Sequence, residues 1–536
     1  MEIPARTDVL IVGAGPVGVT LANLLGRYGV SDMVVDKAAD VLTHPRAIAL
    51  DNEALRILQM AGLGEDAFAR VAIPQVRMRS PYVGEFARFN TTGCLDGHPK
   101  LANFFQPDLE HALRRELQHH SQVSLLPQTE LLSFSETDTG VDAELQFADG
   151  QRRVVSTNYL IGADGASSKV RELLGLGFQG STYIEDWLIV DARQSQKPID
   201  HIEFICDPKR PTPHMPAPDG RERWEFMLQA GETREQMLNP DKIRELLSPW
   251  AAEGEVVIER SAIYRFHARV VERFQKGRVF LVGDAAHITP PFVGQGLCAG
   301  LRDAANLGWK LAWVVKGRAA PAILDSYDLE RRPHAADMIR LATRMGKLIM
   351  PSGALTAIFC HGLVRLLRFI PAIKHWIDEL KFKPQNRFHQ GFFVAGSSVG
   401  NSAGALQRGS NFPQAMLRHA DGRQLWSDDV LGESLTLVGF GVDPHSLLDA
   451  ASMERWSAAG GDCLQVCYRG QALHRGDGAN VWEDISGAFL PAVASNGWLA
   501  VVRPERTLIN DGPASSAAQL IAETLSLFGD ANGRLA

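Results

Sequence analysis

Three glycines in the run Gly13-Ala-Gly15-Pro16-Val-Gly18 have the spacing of a turn that cradles a pyrophosphate. Gly13 permits the tight turn. Gly15 lets the backbone approach the anion, and Gly18 lets the following helix pack on its strand. Pro16 opens that helix, whose first N–H groups face the phosphates. Asp36, with Lys37 beside it, falls about twenty residues on, at the end of the next apolar strand, where a carboxylate accepts hydrogen bonds from a ribose. A glycine-rich turn with an unrelated surface acid would leave the strand before, the helix after and the acid unexplained.

Two later segments add chemistry to this turn. In Ile161-Gly-Ala-Asp164-Gly165, an Asp-Gly step follows an apolar strand and leads into a helix. Alone it reads as a simple turn. In Arg278-Val-Phe-Leu-Val-Gly283-Asp284-Ala-Ala-His287, a short strand delivers Asp284. The loop Pro290-Pro291-Phe292-Val-Gly294-Gln295-Gly296-Leu297-Cys298 then opens a further helix. Such a loop presents backbone N–H groups suited to the pyrimidine end of a flavin, where negative charge builds up on reduction. His287 is expected to shape the loop. The chain shows a single dinucleotide fingerprint, and no Cys/His set has zinc spacing.

The elements that must position these residues follow from hydrophobic pattern. Residues 8–36 read strand, turn, helix, strand, one βαβ opening. Residues 108–120 read as helix and 122–160 as a β-meander. Residues 176–275 mix strands with Pro/Gly-rich loops, a lobe expected to cover a ligand. A strand at 277–285 and a helix at 297–316 follow, and 336–385 is mainly helical with breaks near Pro351 and Pro371. From 396 a small α/β unit is expected. A chain of 536 residues needs more than one core, so two to four domains are predicted. A formal charge of -7 without a basic block argues against nucleic acid as a partner. Six dispersed cysteines read as free thiols in a reducing cytoplasm. No signal peptide is read, and charges interrupt the most apolar stretch, 355–377, so no integral membrane span is expected.

Taken together, the three motifs resemble the aromatic hydroxylase group of single-component flavoprotein monooxygenases, which carry GxGxxG, "DG" and "GD" segments in this order and at these separations. The resemblance is firm over residues 5–345 and looser beyond. Gln295-Gly-Leu-Cys-Ala-Gly-Leu-Arg-Asp-Ala-Ala-Asn-Leu, Tyr264-Arg-Phe-His and Arg223-Trp-Glu-Phe-Met are similar to the branch containing 3-(3-hydroxyphenyl)propionate hydroxylase. Many members have Asn two residues after the last loop glycine. This chain has Leu297-Cys298 there.

The resemblance implies an α/β fold: a Rossmann-like FAD-binding domain (1–175, returning at 276–345), a β-sheet substrate lobe (176–275), a helical connector (346–395) and a thioredoxin-like C-terminal domain (396–536) without redox function. It implies FAD as cofactor, with NADH or NADPH as a transient reductant. FAD would be held by Gly13, Gly15, Pro16, Gly18, Asp36, Lys37, Arg46, Gln106, Asp164, Gly165, Asp284, Pro291, Gly294, Gln295, Gly296, Leu297 and Cys298. A flavin C4a-hydroperoxide would then transfer oxygen from O₂ to a small phenolic substrate. His214, Tyr264 and His267 are the candidates to draw off the phenol proton. Met215, Trp224, Phe226 and Phe292 are candidate pocket walls. Arg193, Arg210, Arg223 and Arg265 are eligible for a substrate carboxylate. A homodimer is compatible with this reading. A polycyclic natural product as substrate, a halogenase, a covalent-flavin oxidase and a non-catalytic flavin- or ligand-binding protein are the alternatives.

Overall fold

The computed structural model describes residues 4–44, 46–194, 198–250, 256–395, 406–471 and 480–529. The expected boundary at 396 lies outside them. The first sheet is built on the apolar strand Arg6–Val12, whose inner residues are fully buried, as a strand covered on both faces requires. It pairs in parallel with Asp32–Asp36 on one side and with the end of Arg152–Gly162 on the other. Val123–Pro127 extends the parallel set beyond Asp32–Asp36. The long strand Arg152–Gly162 shares its far edge. Its first half pairs antiparallel with Val141–Gln146, and its last three residues pair in parallel with Val279–Leu281. The Asp-Gly and Gly-Asp loops therefore leave the same end of two neighbouring strands, beside the glycine turn that leaves Arg6–Val12.

The second sheet has eight strands. Its centre is the antiparallel pair Phe178–Arg193 and Val257–Val271, followed by Arg221–Met227, Thr212–Ala217 and Ile202–Ile205. Two strands from the first segment, Gln75–Ser80 and Gly84–Asn90, extend one edge, and the short strand His287–Ile288 pairs with Val257–Val271 at the other. The lobe is thus wider than 176–275, because the parallel edge of Ile202–Ile205 takes Gln75–Ser80 as its partner. Both faces of this sheet are buried. Helices Arg234–Leu238 and Pro240–Leu247 cover one face, over Leu188, Val190, Trp224 and Phe226. The other face turns toward the first sheet.

Helix Asp325–Ile349 runs through the expected boundary at 345, and Ala354–Leu367 and Pro371–Asp378 follow it. Among the described residues no single helix is long and apolar enough to cross a membrane. The C-terminal sheet orders its strands Gln424–Trp426, Met416–His419, Val481–Asp484, Gly461–Tyr468, Leu435–Phe440, Trp498–Val502, Leu508–Pro513.

That C-terminal unit is locked to the first domain by buried ion pairs. Arg503 donates to both carboxylate oxygens of Glu330, at 2.6 and 3.0 Å, and Lys310 donates to the same carboxylate at 2.7 Å. Arg56 forks onto Asp428 at 2.6 and 2.8 Å.

One buried acid in the first sheet lacks such a partner. Asp32 is buried at the start of its strand and neither carboxylate oxygen finds a hydrogen bond. Burial pushes its pKa well above the ordinary carboxylate range. The folded state therefore binds a proton that the unfolded state releases, and this contribution is lost as pH rises through the raised pKa. Asp32→Asn should raise the urea midpoint by about 0.5 M more at pH 8.5 than at pH 5, because the unfolded carboxyl already ionises from its ordinary value of 3.8 upward. Equal shifts at both pH values would show that the carboxyl is satisfied.

Candidate cofactor and substrate site

At the glycine turn, Gly13 sits at φ +113°, and a Cβ there would run into the Ala163 carbonyl. A Cβ on Gly18 would strike the Gly13 carbonyl. Gly15 differs: a Cβ there meets no atom within 4 Å. It is the N-cap of helix Pro16–Arg27, and no side chain caps that helix. The space before Gly15 and the free first turn suit a pyrophosphate. Asp36 Oδ2 accepts from Ala14 N at 2.7 Å and Oδ1 from Ala38 N at 2.7 Å, which fixes the carboxylate at the turn with lone pairs to spare. Lys37 is exposed.

Gln106 starts helix Gln106–Leu117. Its Nε2 donates to Glu110 at 2.6 Å, while its buried Oε1 has no partner. Asp164 uses Oδ2 to cap helix Lys169–Leu174, accepting from Lys169 N at 2.6 Å and Val170 N at 3.1 Å, and its buried Oδ1 is unpaired. Gly165 carries the turn at φ +79°. Asp284 opens onto the cleft, yet the protein packed around it raises its carboxyl pKa, opposed by His287 and Arg46.

The loop after Asp284 is braced from behind. Asp303 Oδ2 accepts from His287 Nε2 at 2.7 Å and Gly283 N at 3.1 Å, and its Oδ1 accepts from Arg331 at 2.8 Å. Burial pushes the Asp303 carboxyl up, but His287 and Arg331 win and hold it below the ordinary range. Arg171 donates to the Ala285 carbonyl at 3.0 Å and so ties the Asp-Gly helix to the Gly-Asp loop. Pro291 and Phe292 form one helical turn, Gly294 closes it at φ +61°, and Gly296 begins the helix Gly296–Val315, which also lacks a side-chain cap. Leu297 lies in that first turn. The Gln295 amide oxygen turns inward to Arg302 at 3.2 Å. The Cys298 sulfur also points inward, toward the Ala49 and Gly294 carbonyls, and burial pushes its thiol up to about 12. From Gln295 and Cys298 the flavin loop therefore offers backbone rather than side chains.

These features fit FAD: an open cradle at Gly15, two uncapped helix N-termini, and unpaired buried oxygens on Gln106 and Asp164. Pro16, Asp36, Gly165 and Asp284 follow or end strands at the same end of the first sheet, and Gly18 packs the first helix onto its own turn.

The second sheet contributes one face, and strand parity decides which residues share it. Trp187, Ile189, Asp191, Arg223, Glu225, Met227, Tyr264 and Phe266 alternate onto the face toward the loop. Phe292 wedges there between Trp187 and Phe266, 5.9 Å from each ring, and 5.7 Å from Tyr183. Met215 shares this face and packs with Ile73 and Ile202. Trp224 and Phe226 do not. They point to the opposite face, under the two covering helices, and so do not wall the pocket.

His214 is likewise on the far face. It stacks on Trp224 at 4.5 Å and bonds Glu222 at 3.0 Å. His267 pairs with Thr182 at 2.9 Å, on the side of exposed Arg265. Of the three candidate proton acceptors, only Tyr264 faces the cleft. Burial pushes its hydroxyl above the ordinary tyrosine value, against the pull of Arg46, Arg223 and Arg260. It is a donor near neutrality and does not accept a proton.

The four eligible arginines are all engaged: Arg193 with Glu259, Arg210 with Glu232, Arg223 with Asp191 and Arg265 with Asp186. Arg223 and Arg260 also donate to the carbonyls of Arg46 and Thr43 and so hang that loop on the sheet. Arg46 itself makes no ion pair among the described residues and lies within electrostatic reach of Tyr264 and Asp284.

The sequence reading passed over Asp303, Arg331 and Glu225. Alternation along Arg223-Trp-Glu-Phe-Met would have separated Glu225 from its aromatic neighbours.

Fold and site define a flavoprotein in which a dinucleotide cleft meets a sheet-walled pocket. The chain belongs to the FAD binding domain family, which matches residues 6–342. A second match, to the HcaD C-terminal domain, spans residues 409–527. The chain is 37% identical over 519 residues to 3-(3-hydroxy-phenyl)propionate/3-hydroxycinnamic acid hydroxylase 2 of Burkholderia vietnamiensis, covering 94% of this chain and 93% of that one. It is 35% identical over 549 residues to the hydroxylase of the same name, without the numeral, from Comamonas testosteroni, covering 93% of each. Among solved structures, the flavin-dependent monooxygenase PieE, in complex with FAD and substrate, superposes with a TM-score of 0.82 at 21% identity, over 99% of both chains.

Proposed function

We propose that this chain is an FAD-dependent monooxygenase that hydroxylates a phenolic aromatic compound with NAD(P)H and O₂, with a 3-(3-hydroxyphenyl)propionate-like acid as its substrate class. The observation that carries the reading is the cleft at Gly15, Asp164 and Asp284 facing the aromatic wall of the lobe, in a chain similar over nine-tenths of its length to named hydroxylases. Bound FAD would take hydride from NAD(P)H and, reduced, activate O₂ for transfer of one oxygen atom to the ring. The chain's residues do the rest. The uncapped helix at Gly15 holds the pyrophosphate, and Asp36 the ribose. Asp303, His287 and Arg331 keep the Gly-Asp loop in place. Trp187, Phe266 and Phe292 keep water from the ring-facing side.

The test is NAD(P)H consumption by the purified holoenzyme, with product analysis, across 3-(3-hydroxyphenyl)propionate, 3-hydroxycinnamate and a bulky polyketide phenol. Stimulated consumption with a hydroxylated propionate product is expected. No stimulation by any phenol would overturn the reading.

Finer points belong to the same proposal. We take the C-terminal unit as thioredoxin-like in topology, supported by the order Gly461–Tyr468, Leu435–Phe440, Trp498–Val502, Leu508–Pro513, with the first pair parallel and the others antiparallel. Cys463 and Cys467 are both buried there, and burial pushes the Cys463 thiol up to about 12, which fits a unit without redox work. Among the described residues, which include all six cysteines, no disulfide forms, which fits a reducing cytoplasm.

A homodimer is supported by the exposed stripe Leu355, Phe359, Leu366 and Phe369, each more than 60% exposed. The basic side chains of that face are spent within the chain, Arg365 on the Val83 carbonyl and Arg368 and Lys374 on Asp378, so the same apolar stripe of a second copy suits it better than an anionic surface. Sedimentation of the holoenzyme at micromolar concentration decides it.

A further inference from the structure

We propose that Glu225 is the group that accepts the phenolic proton of the substrate, a role that rests on the hydroxylase reading above. The strand Arg221–Met227 places Trp224 and Phe226 under the covering helices and turns Arg223, Glu225 and Met227 toward the flavin loop. Glu225 is cross-strand from Ile189 and lies in the same sheet face as Trp187, Tyr264 and Phe266. It is 6% exposed, and among the described residues it makes no hydrogen bond and no ion pair. A buried carboxyl left unpaired at the wall of a cleft is costly to the fold, and the cost is justified where the group works.

The charged groups around it are identifiable. Arg223 shares its strand. Asp191 lies on the neighbouring strand, Arg260 and Tyr264 on the next one, and Arg46 on the loop hung over the face. The strand on the other side, Thr212–Ala217, offers no charge there. Asp191 is consumed by Arg223 and Arg260, which hold its carboxyl below the ordinary range although burial pushes it up. Glu225 differs. Burial pushes it up to about 7, with Arg223 opposing and Asp191 reinforcing. A proton acceptor balanced near the working pH is what general-base catalysis favours. His214 and His267 face away, and Tyr264 keeps its proton, so Glu225 is the acidic side chain on this face left free to act.

The step is a proton transfer. The phenol O–H bond breaks, its electron pair stays on the phenolate oxygen, and a new O–H forms on the Glu225 carboxylate. The ring becomes the stronger nucleophile toward the oxygen delivered from O₂. The proton leaves Glu225 when the hydroxylated product departs.

The test compares wild-type holoenzyme with Glu225→Gln and Glu225→Asp, using 3-(3-hydroxyphenyl)propionate and a ring-fluorinated analogue acidic enough to be ionised from about pH 5.5 upward, below the limb. Product formation by the wild type should rise with pH through about 7. In Glu225→Gln that rise should vanish and product formation should fall by about 100-fold, with flavin content unchanged. Glu225→Asp should restore part of it, and the pre-ionised analogue should rescue Glu225→Gln. If a variant fails to fold, the wild type alone decides: its acidic limb must disappear with the pre-ionised analogue. A wild-type limb that is the same for both phenols, or a Glu225→Gln variant with the wild-type profile, would overturn the role of Glu225. Absence of any wild-type product from any phenol would instead bring down the hydroxylase reading itself.

Discussion

Arg503→Ala is expected to lower the unfolding free energy by about 3–5 kcal/mol and the urea midpoint by about 1 M. Arg503 is fully buried, and its guanidinium joins Glu330 at 2.6 and 3.0 Å and the Phe392 carbonyl at 2.6 Å. Removing it leaves Lys310 as the cation bonded to Glu330, beside the neutral donors Asn306 Nδ2 and Phe392 N. Lys310 is a poor substitute, because burial already pulls its pKa down to about 8. The size of the effect comes from the charge left behind rather than from the net worth of the pair. The effect should also reach the cofactor. Glu330 and Arg331 are neighbours on one helix, and Arg331 holds Asp303, which holds Gly283 and His287. Loosening that helix should therefore speed FAD loss as well. Urea titration followed by tryptophan emission, together with flavin retention on gel filtration, checks both. A midpoint within about 0.2 M of wild type would show that the C-terminal unit is not clamped through this residue.

Gly15→Val separates binding from folding. A side chain at Gly15 enters open space, and the extended backbone there, φ -75° and ψ 178°, suits a β-branched residue. The fold should survive. The added methyl groups would fill the approach to the uncapped helix, and FAD affinity should fall at least 100-fold, about 2.7 kcal/mol. Gly13→Val is the control. It forces a positive φ on a β-branched residue and drives Cβ into the Ala163 carbonyl, so it should misfold. Titration of apoprotein with FAD, read by flavin fluorescence, gives the affinity. A Gly15→Val protein with full flavin content would remove the pyrophosphate from this turn.

The cofactor side of the molecule was legible because its residues come in contiguous runs. Gly13 to Gly18, Asp164-Gly165 and Gly283-Asp284 each carry strand, turn and helix within a few residues of one another. The substrate side was not, for a definite reason. Both faces of the lobe's sheet are buried, so hydrophobicity alone could not tell which one meets the ligand. Trp224, Phe226 and His214 look like a pocket lining in sequence, and the helices from Arg234 to Leu247 take that face instead. Parity along the strand holds the missing information: once Trp224 is inward to those helices, Glu225 must be outward from them. The interdomain ion pairs were invisible for another reason. Arg56 meets Asp428 and Arg503 meets Glu330 across more than 170 residues.

The parallel pairing of Val279–Leu281 with the end of Arg152–Gly162 also bears on biosynthesis. The wall that carries Asp284 is added only after the whole substrate lobe has been made, and its brace, Arg331, follows later still. On the ribosome, the nucleotide end of the cleft, with Gly15 and Asp36, is complete long before the isoalloxazine end exists. A nascent chain can therefore offer FAD only a half-site. Capture of the cofactor becomes a late event, which places the greatest risk of aggregation in the interval before residue 331 emerges.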